Sequence, residues 1–339
     1  MAAPADPADS SGAAASVSAA SPANTVLTLG PPRHACHACG NCCTGWKVRL
    51  ADDSERERVI RQAAELGVPD PIVAGELRQV DSVCVFLGAD KLCRIHARYG
   101  EDEKPITCQL FPRRSVRAED GIRFGVDPGC SSSWRSFATG PDLSLWFIPT
   151  GRDQHKKPGL AAVERKLVSL ARSPGMTLAR FASVLANDPI AAPDQFPKGM
   201  GTRLIDRLRA VIPLLEDREN GPLIGADLAA TRTFLRRLGT ARPLPSKRLP
   251  PLVVPPGLDA IVLDALQRTL YLRIGSDEIP PSGHALVVIG GALACLLADP
   301  RSDRFGPAFA AWSRVSRLDG FWEAFAPDTD AARWVLTGE

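Results

Sequence analysis

Beyond residue 160 the apolar positions recur with a helical period. "LAAVERKLVSLARS" repeats Val163, Leu167 and Leu170; "TLARFASVLAND" repeats Leu178, Phe181 and Leu185; "TRLIDRLRAVIPLLED" repeats Leu204, Leu208 and Val211. The same reading predicts helices over 226–238, 257–273, 285–298, 303–325 and 329–337. Between them, the prolines of "TARPLPSKRLPPLVVPPG" at 240–257 exclude regular helix and predict an extended strap. No repeat of fixed period is visible. Residues 140–339 are therefore expected to form a helical bundle crossed by one Pro-rich strap.

Ahead of residue 140 the pattern breaks into shorter pieces. "DDSERERVIRQAAELGVPD" predicts one amphipathic helix, with Asp52 or Asp53 as N-cap, Val59, Ile60, Ala63 and Leu66 on one stripe, and Gly67 and Pro69 as stop. In "SVCVFLGADKLCRIHARYG", Cys84 and Cys93 bracket a predicted tight hairpin turning near Gly88 and Asp90. Residues 1–33 are Ala, Ser and Pro with almost no bulky side chains, too little apolar surface to offset ordering entropy, and are expected to be a disordered tail.

Length and charge narrow the function. At 339 residues the chain can bury a sizeable core. With 41 basic against 38 acidic residues, its net charge of +3 provides no global field for nucleic acid or an anionic membrane. The longest apolar run, "ALVVIGGALACLLA" at 285–298, is shorter than the roughly 20 residues that span a bilayer and predicts a core helix. The tail has neither the basic start nor the apolar centre of a secretory signal, so a cytoplasmic location is expected. Nothing in the sequence sets the oligomeric state.

The chemistry is concentrated in the cysteines. Cys36, Cys39, Cys42 and Cys43 form C-x2-C-x2-C-C, followed by Cys84, Cys93, Cys108 and Cys130; the ninth, Cys295, sits on an apolar helix as a small hydrophobe. Disulfides are disfavoured in a reducing compartment. Metal ligation fits better, because two-residue gaps let thiolates of one tight turn converge, and Gly40 supplies the backbone freedom for that turn. The first three cysteines match the run that wraps a cubane iron–sulfur cluster in bacterial-type ferredoxins. Adjacent Cys42 and Cys43 point to different sides in most backbone conformations, which leaves either a spare thiol or two neighbouring sites. Eight thiolates could fill two zinc sites, or one cluster and one structural zinc. A vicinal-thiol redox switch at Cys42–Cys43 is the third reading, against which stands the strain of such a disulfide. His37 and His96 lie within the pattern, but solvent-facing or hydrogen-bonded imidazoles are the plainer reading. Trp46 and Trp134 are read as shields for a metal.

"CHACGNCC", "CVFLGADKLCRIHARYG" and "PITCQLFPRR" together resemble the YkgJ-like CxxCxxCC family of zinc- or iron-chelating proteins. That resemblance implies Cys36, Cys39, Cys42, Cys43, Cys84, Cys93 and Cys108 as metal ligands, with Phe111-Pro112-Arg113 as the family's ending; Cys130 joins them by proximity in sequence. "CCTGW" and "LQRTLYLRIG" are similar to the flagellin lysine-N-methylase branch, which implies S-adenosylmethionine as methyl donor and a partner protein offering surface lysines. The sequence shows no Rossmann donor site: "VVIGGALAC" is read as a helix packing face. Nor does it show the C-x3-C-x2-C of radical enzymes. For lysine deprotonation the candidate bases are Tyr99 and Asp127, alongside the charge run Glu101, Asp102 and Glu103. Arg113 and Arg114 are candidates to clamp a carboxylate, with Arg113 the candidate cofactor-binding residue.

The expected fold class is thus mainly α, a small irregular metal-stapled Cys-rich domain at 34–139 followed by the helical bundle at 140–339. The expected function is zinc or iron–sulfur binding, extended to lysine methylation. The competing reading is a non-catalytic metal-binding or storage module in which the metal is a structural staple.

Overall fold

The computed structural model describes residues 25–44, 46–136, 139–144, 152–153, 159–186, 196, 199–200, 202–204, 206–207, 258–273, 283, 285, 288–289, 291, 302–316, 330 and 333–335. The helix expected at 226–238, the strap at 240–257 and Cys295 lie outside them.

The predicted first helix forms as α1, Asp53–Glu65, with Asp52 as N-cap accepting from the Glu55 amide at 2.9 Å. Its buried face is Glu55, Val59, Gln62 and Ala63, whereas Ile60 is exposed. Two short hairpins follow. β2 (Ile72–Val73) pairs with β3 (Glu76–Leu77), and β4 (Gln79–Val80) pairs with β5 (Val83–Cys84). The turn expected between Cys84 and Cys93 is present: Leu87 bridges Cys93, and the Gly88 amide donates to the Leu92 carbonyl at 2.8 Å. Cys93 then caps α2 (Arg94–Tyr99), and Cys108 lies on α3 (Ile106–Leu110).

The chain next makes a hairpin of β6 (Arg113–Ala118) and β7 (Gly121–Val126), entered through a cis Phe111–Pro112 peptide. β1 (Val26–Thr28) pairs in parallel with β7, and β8 (Arg152–Asp153) in parallel with β6, giving a four-stranded sheet in the order β1-β7-β6-β8. After β7 comes the short α4 (Ser133–Ser136). Helices α5 (Leu160–Ala171), α6 (Leu178–Leu185), α7 (Leu258–Tyr271) and α8 (Ser302–Val315) complete the described elements. α7 contacts α5, α6 and strand β7.

This overturns the mainly α expectation. The described residues are α+β, and α7 lies on a sheet; the expected helical bundle is not what they form. The strands escaped a periodicity reading for a definite reason. β7, "GIRFGV", carries Arg123 at its centre, which a period-two pattern assigns to solvent, yet Arg123 is fully buried. Its guanidinium donates to Asp120, to Glu164 on α5 at 2.6 Å and to the Tyr271 carbonyl at the end of α7 at 3.2 Å. Arg273 donates to the same Glu164 at 2.9 Å. Two guanidiniums thus neutralise one buried carboxylate, which is how α5 tolerates Glu164 on its buried face beside Ala161, Val168 and Ala171. Val163, expected on that face, is 48% exposed.

The tail expectation is corrected too, because residues 25–33 are ordered: Val26–Thr28 is a sheet strand and Leu27 and Leu29 pack on apolar core. Among the described residues the core falls into two clusters. The larger is built from α5, α6, α7, α8 and neighbouring residues. The fully buried residues of the smaller lie between Val48 and Ile95, among them Val59, Ala63, Phe86 and Ile95, with Cys43 and Cys108 among the half-buried residues packed against them.

Candidate metal centre

The C-x2-C-x2-C-C loop is tightly turned. Ala38 and Gly40 both take left-handed backbone, with φ of 49° and 73°. Gly40 is the N-cap of a single 3-10 turn, Asn41–Cys43, closed by Cys43 N–H to the Gly40 carbonyl at 2.9 Å. Thr44 Oγ1 donates to the same carbonyl at 3.1 Å. The turn leaves Cys42 Sγ and Cys43 Sγ 3.9 Å apart.

Both sides of this loop are tied to other elements. Upstream, the His34 amide donates to the Pro141 carbonyl at 3.1 Å, Arg33 bridges Asp142, and the Arg33 side chain donates to the Gly140 carbonyl at 3.0 Å. Within it, Asn41 Nδ2 donates to Ser131 Oγ at 2.9 Å, next to Cys130. From α8, Arg314 Nη1 donates to the Asn41 carbonyl at 3.0 Å. Downstream, Thr44 bridges Val83, which places Cys43 beside Cys84.

Cys108 is positioned from α1. The buried Glu55 of that helix accepts from the Ala51 amide and from the Ile106 amide, both at 2.6 Å, and so fixes the start of α3 and the position of Cys108. Gln62 donates to the Glu103 carbonyl at 3.2 Å. The outcome is that Cys43, Cys84, Cys93 and Cys108 all pack in the smaller apolar cluster. Cys130 is buried elsewhere, in the turn after β7, its amide donating to the Asp127 carbonyl at 3.1 Å. Cys36 and Cys42 are exposed and Cys39 is half-buried. None of these eight is disulfide-bonded.

Burial pushes the Cys84 thiol up to about 11, with Cys93 and Cys42 adding to the rise against a Phe86 amide contact. Burial likewise raises Cys108, aided by Cys84 and Cys93. Cys43 is raised by donating toward Cys42, then by burial. Cys42 is lowered by that same contact and, more weakly, by Lys104 and Arg314. Burial also pushes Cys130 up to about 11, with Ser132 opposing and Cys39 and Cys42 adding. The neutral thiol is thus the stable form of Cys43, Cys84, Cys108 and Cys130 until a cation enters, when thiolates become favoured, whereas Cys42 is the thiol of the set inclined to ionise. Among the described residues no group of three or more His, Cys, Asp or Glu is close enough to hold a metal ion as the side chains stand. The donor set fits a thiophilic metal in type; closure onto an ion needs the thiols drawn together.

Other candidates fall differently. Tyr99 donates to Glu65 Oε2 at 2.7 Å on α1. The Asp127 carboxylate accepts from the Gly129 amide at 2.7 Å and shapes the turn into Cys130. Arg113 donates to the Gln109 carbonyl and pairs with Glu101 at 3.6 Å, and Arg114 Nε donates to the Leu272 carbonyl at 3.2 Å. His37 and His96 are exposed. Trp46 packs on Phe111 with ring centroids 5.6 Å apart, and Trp134 donates to the Ser131 carbonyl at 2.9 Å. One residue the sequence reading passed over is His34, two positions before Cys36. It is buried with Nδ1 unpartnered, and burial, with His37 adding, holds its pKa down to about 4. Its nearness to the first cysteine was the only signal available in the sequence.

No curated protein and no solved structure matches the chain. No helix among the described residues is long and apolar enough to cross a membrane. The grouped, unbridged thiols agree with a family comparison: residues 35–127 match the model of the CxxCxxCC family, described as "Putative zinc- or iron-chelating domain".

Proposed function

We propose that the segment 36–130 is a thiolate metal centre held by Cys36, Cys39, Cys42, Cys43, Cys84, Cys93, Cys108 and Cys130, and that the bound zinc or iron organises this part of the chain. The observation that carries the reading is the packing of Cys43, Cys84, Cys93 and Cys108 in one small apolar cluster with none of them bridged. The bound metal supplies the cross-link that this modest core lacks. The protein's own residues do the rest. Ala38 and Gly40 turn the loop, Glu55 positions Cys108, and Lys104 and Arg314 lend positive charge to the Cys42 side.

The finer reading, S-adenosylmethionine-dependent methylation of protein lysines, rests on motif resemblance and gains no support from the site. Tyr99 and Asp127 are engaged in local hydrogen bonds, and Arg113 is paired within its own neighbourhood. The non-catalytic metal module is therefore the function proposed. Protein purified without oxygen should contain stoichiometric zinc or iron by elemental analysis, and the metal-loaded protein should give no saturable heat with S-adenosylmethionine. Metal-free protein that fails to bind added zinc or iron would overturn the proposal, and saturable donor binding would reinstate the methylase.

A further inference from the structure

Only four of the eight thiols pack in the smaller apolar cluster. Cys43, Cys84, Cys93 and Cys108 share the apolar cluster of Val59, Phe86 and Ile95, held there by the Thr44–Val83 and Leu87–Cys93 bridges and by the Glu55 clamp on α3. The first part of the loop is tied to a different segment. His34 and Arg33 are bonded to residues 140–142, and Asn41 is bonded to Ser131. Those bonds bracket Cys36 and Cys39 in the chain and bring the loop to the turn that carries buried Cys130; Cys42 stands between the two groups, within electrostatic reach of Cys130 on one side and of Cys84 and Cys108 on the other. Cys130 is beyond the matched domain, which ends at residue 127.

We infer that this chain holds two metal sites side by side: an inner one of Cys43, Cys84, Cys93 and Cys108, and an outer one of Cys36, Cys39, Cys42 and Cys130. The inference rests on the metal reading above and deepens it. It explains why two cysteines are adjacent: with their sulfurs 3.9 Å apart, Cys42 and Cys43 hand the chain from one site to the next. Four thiolates suit a tetrahedral ion such as zinc, so each site would take one.

Metal-free full-length protein loaded with zinc and freed of excess tests the count. Two zinc ions per chain are expected. One zinc would overturn the partition and leave the metal centre standing; none would overturn both. Cys130→Ser should keep one zinc that protects Cys43, Cys84, Cys93 and Cys108 from iodoacetamide, and Cys84→Ser should keep one that protects the other four. Loss of both ions or of neither in a folded Cys130→Ser protein contradicts the inference. Should either variant fail to fold, stepwise chelation of the wild type decides: the thiols should become alkylated in two groups of four, and appearance of all eight together, or in any other grouping, overturns it.

Discussion

Glu55 is a charged side chain buried on an amphipathic helix, and its carboxylate explains its place by accepting two backbone amides that the metal centre needs fixed. Hydrogen bonds to a charged partner contribute about 1.5–3 kcal/mol each, and Glu55→Ala also leaves the Ile106 amide without this acceptor. We expect that variant to lose about 2–4 kcal/mol by urea denaturation, with weaker zinc binding because Cys108 is no longer held. Gly40→Ala should cost about 1–2 kcal/mol, since only glycine takes φ near 73° freely. Asp120 responds to pH. Burial opposes its charge, but the Arg123 and Arg165 guanidiniums outweigh burial and hold its pKa below the ordinary 3.8. Its contribution to stability is therefore present above about pH 4 and lost as pH falls through the lowered value. Asp120→Asn should be less stable than wild type at pH 7, with the gap closing toward pH 3 in thermal melts. The role of Gly40 was legible in the sequence; those of Glu55, Asp120 and Arg123, which look there like solvent-facing charges, were not. Their roles depend in part on partners distant in the chain, as in Arg123–Glu164, Asp120–Arg165 and Glu55–Ile106.

At the scale of elements, the parts specified by nearby residues were readable. α1 has its Asp52 cap where expected, and the turn at Gly88 joins the two cysteines as expected. The sheet was not readable, because β1 lies in an Ala/Ser-rich segment and pairs with β7 almost a hundred residues on, and because a buried arginine interrupts β7. α8 was expected as a helix, but its contact with the cysteine loop has no local signature. Gly306 lies flat against the Trp134 ring with no room for a Cβ, and Arg314 grips the Asn41 carbonyl. Gly306→Val should displace α8, raise hydrogen exchange across 302–315 and lower zinc affinity of the loop several-fold. Arg314→Ala should lower the affinity while leaving α8 protected.

At the scale of the whole molecule, two apolar clusters of unequal size share one chain. The smaller has eight buried residues, one of them Cys84 itself, so on the proposed reading a bound metal would contribute a large share of what holds it. The cysteine spacing pointed to a thiol-rich segment in the sequence; that Cys43, Cys84, Cys93 and Cys108 pack in one apolar cluster while Cys130 is buried apart required the fold. Metal removal should therefore act unevenly. The measurement that tests this most directly is amide hydrogen exchange of the full chain, made with zinc bound and again after chelation. The account predicts that protection collapses across residues 36–110 and persists in α5 and α7. Unchanged protection across 36–110 after complete zinc removal would contradict it.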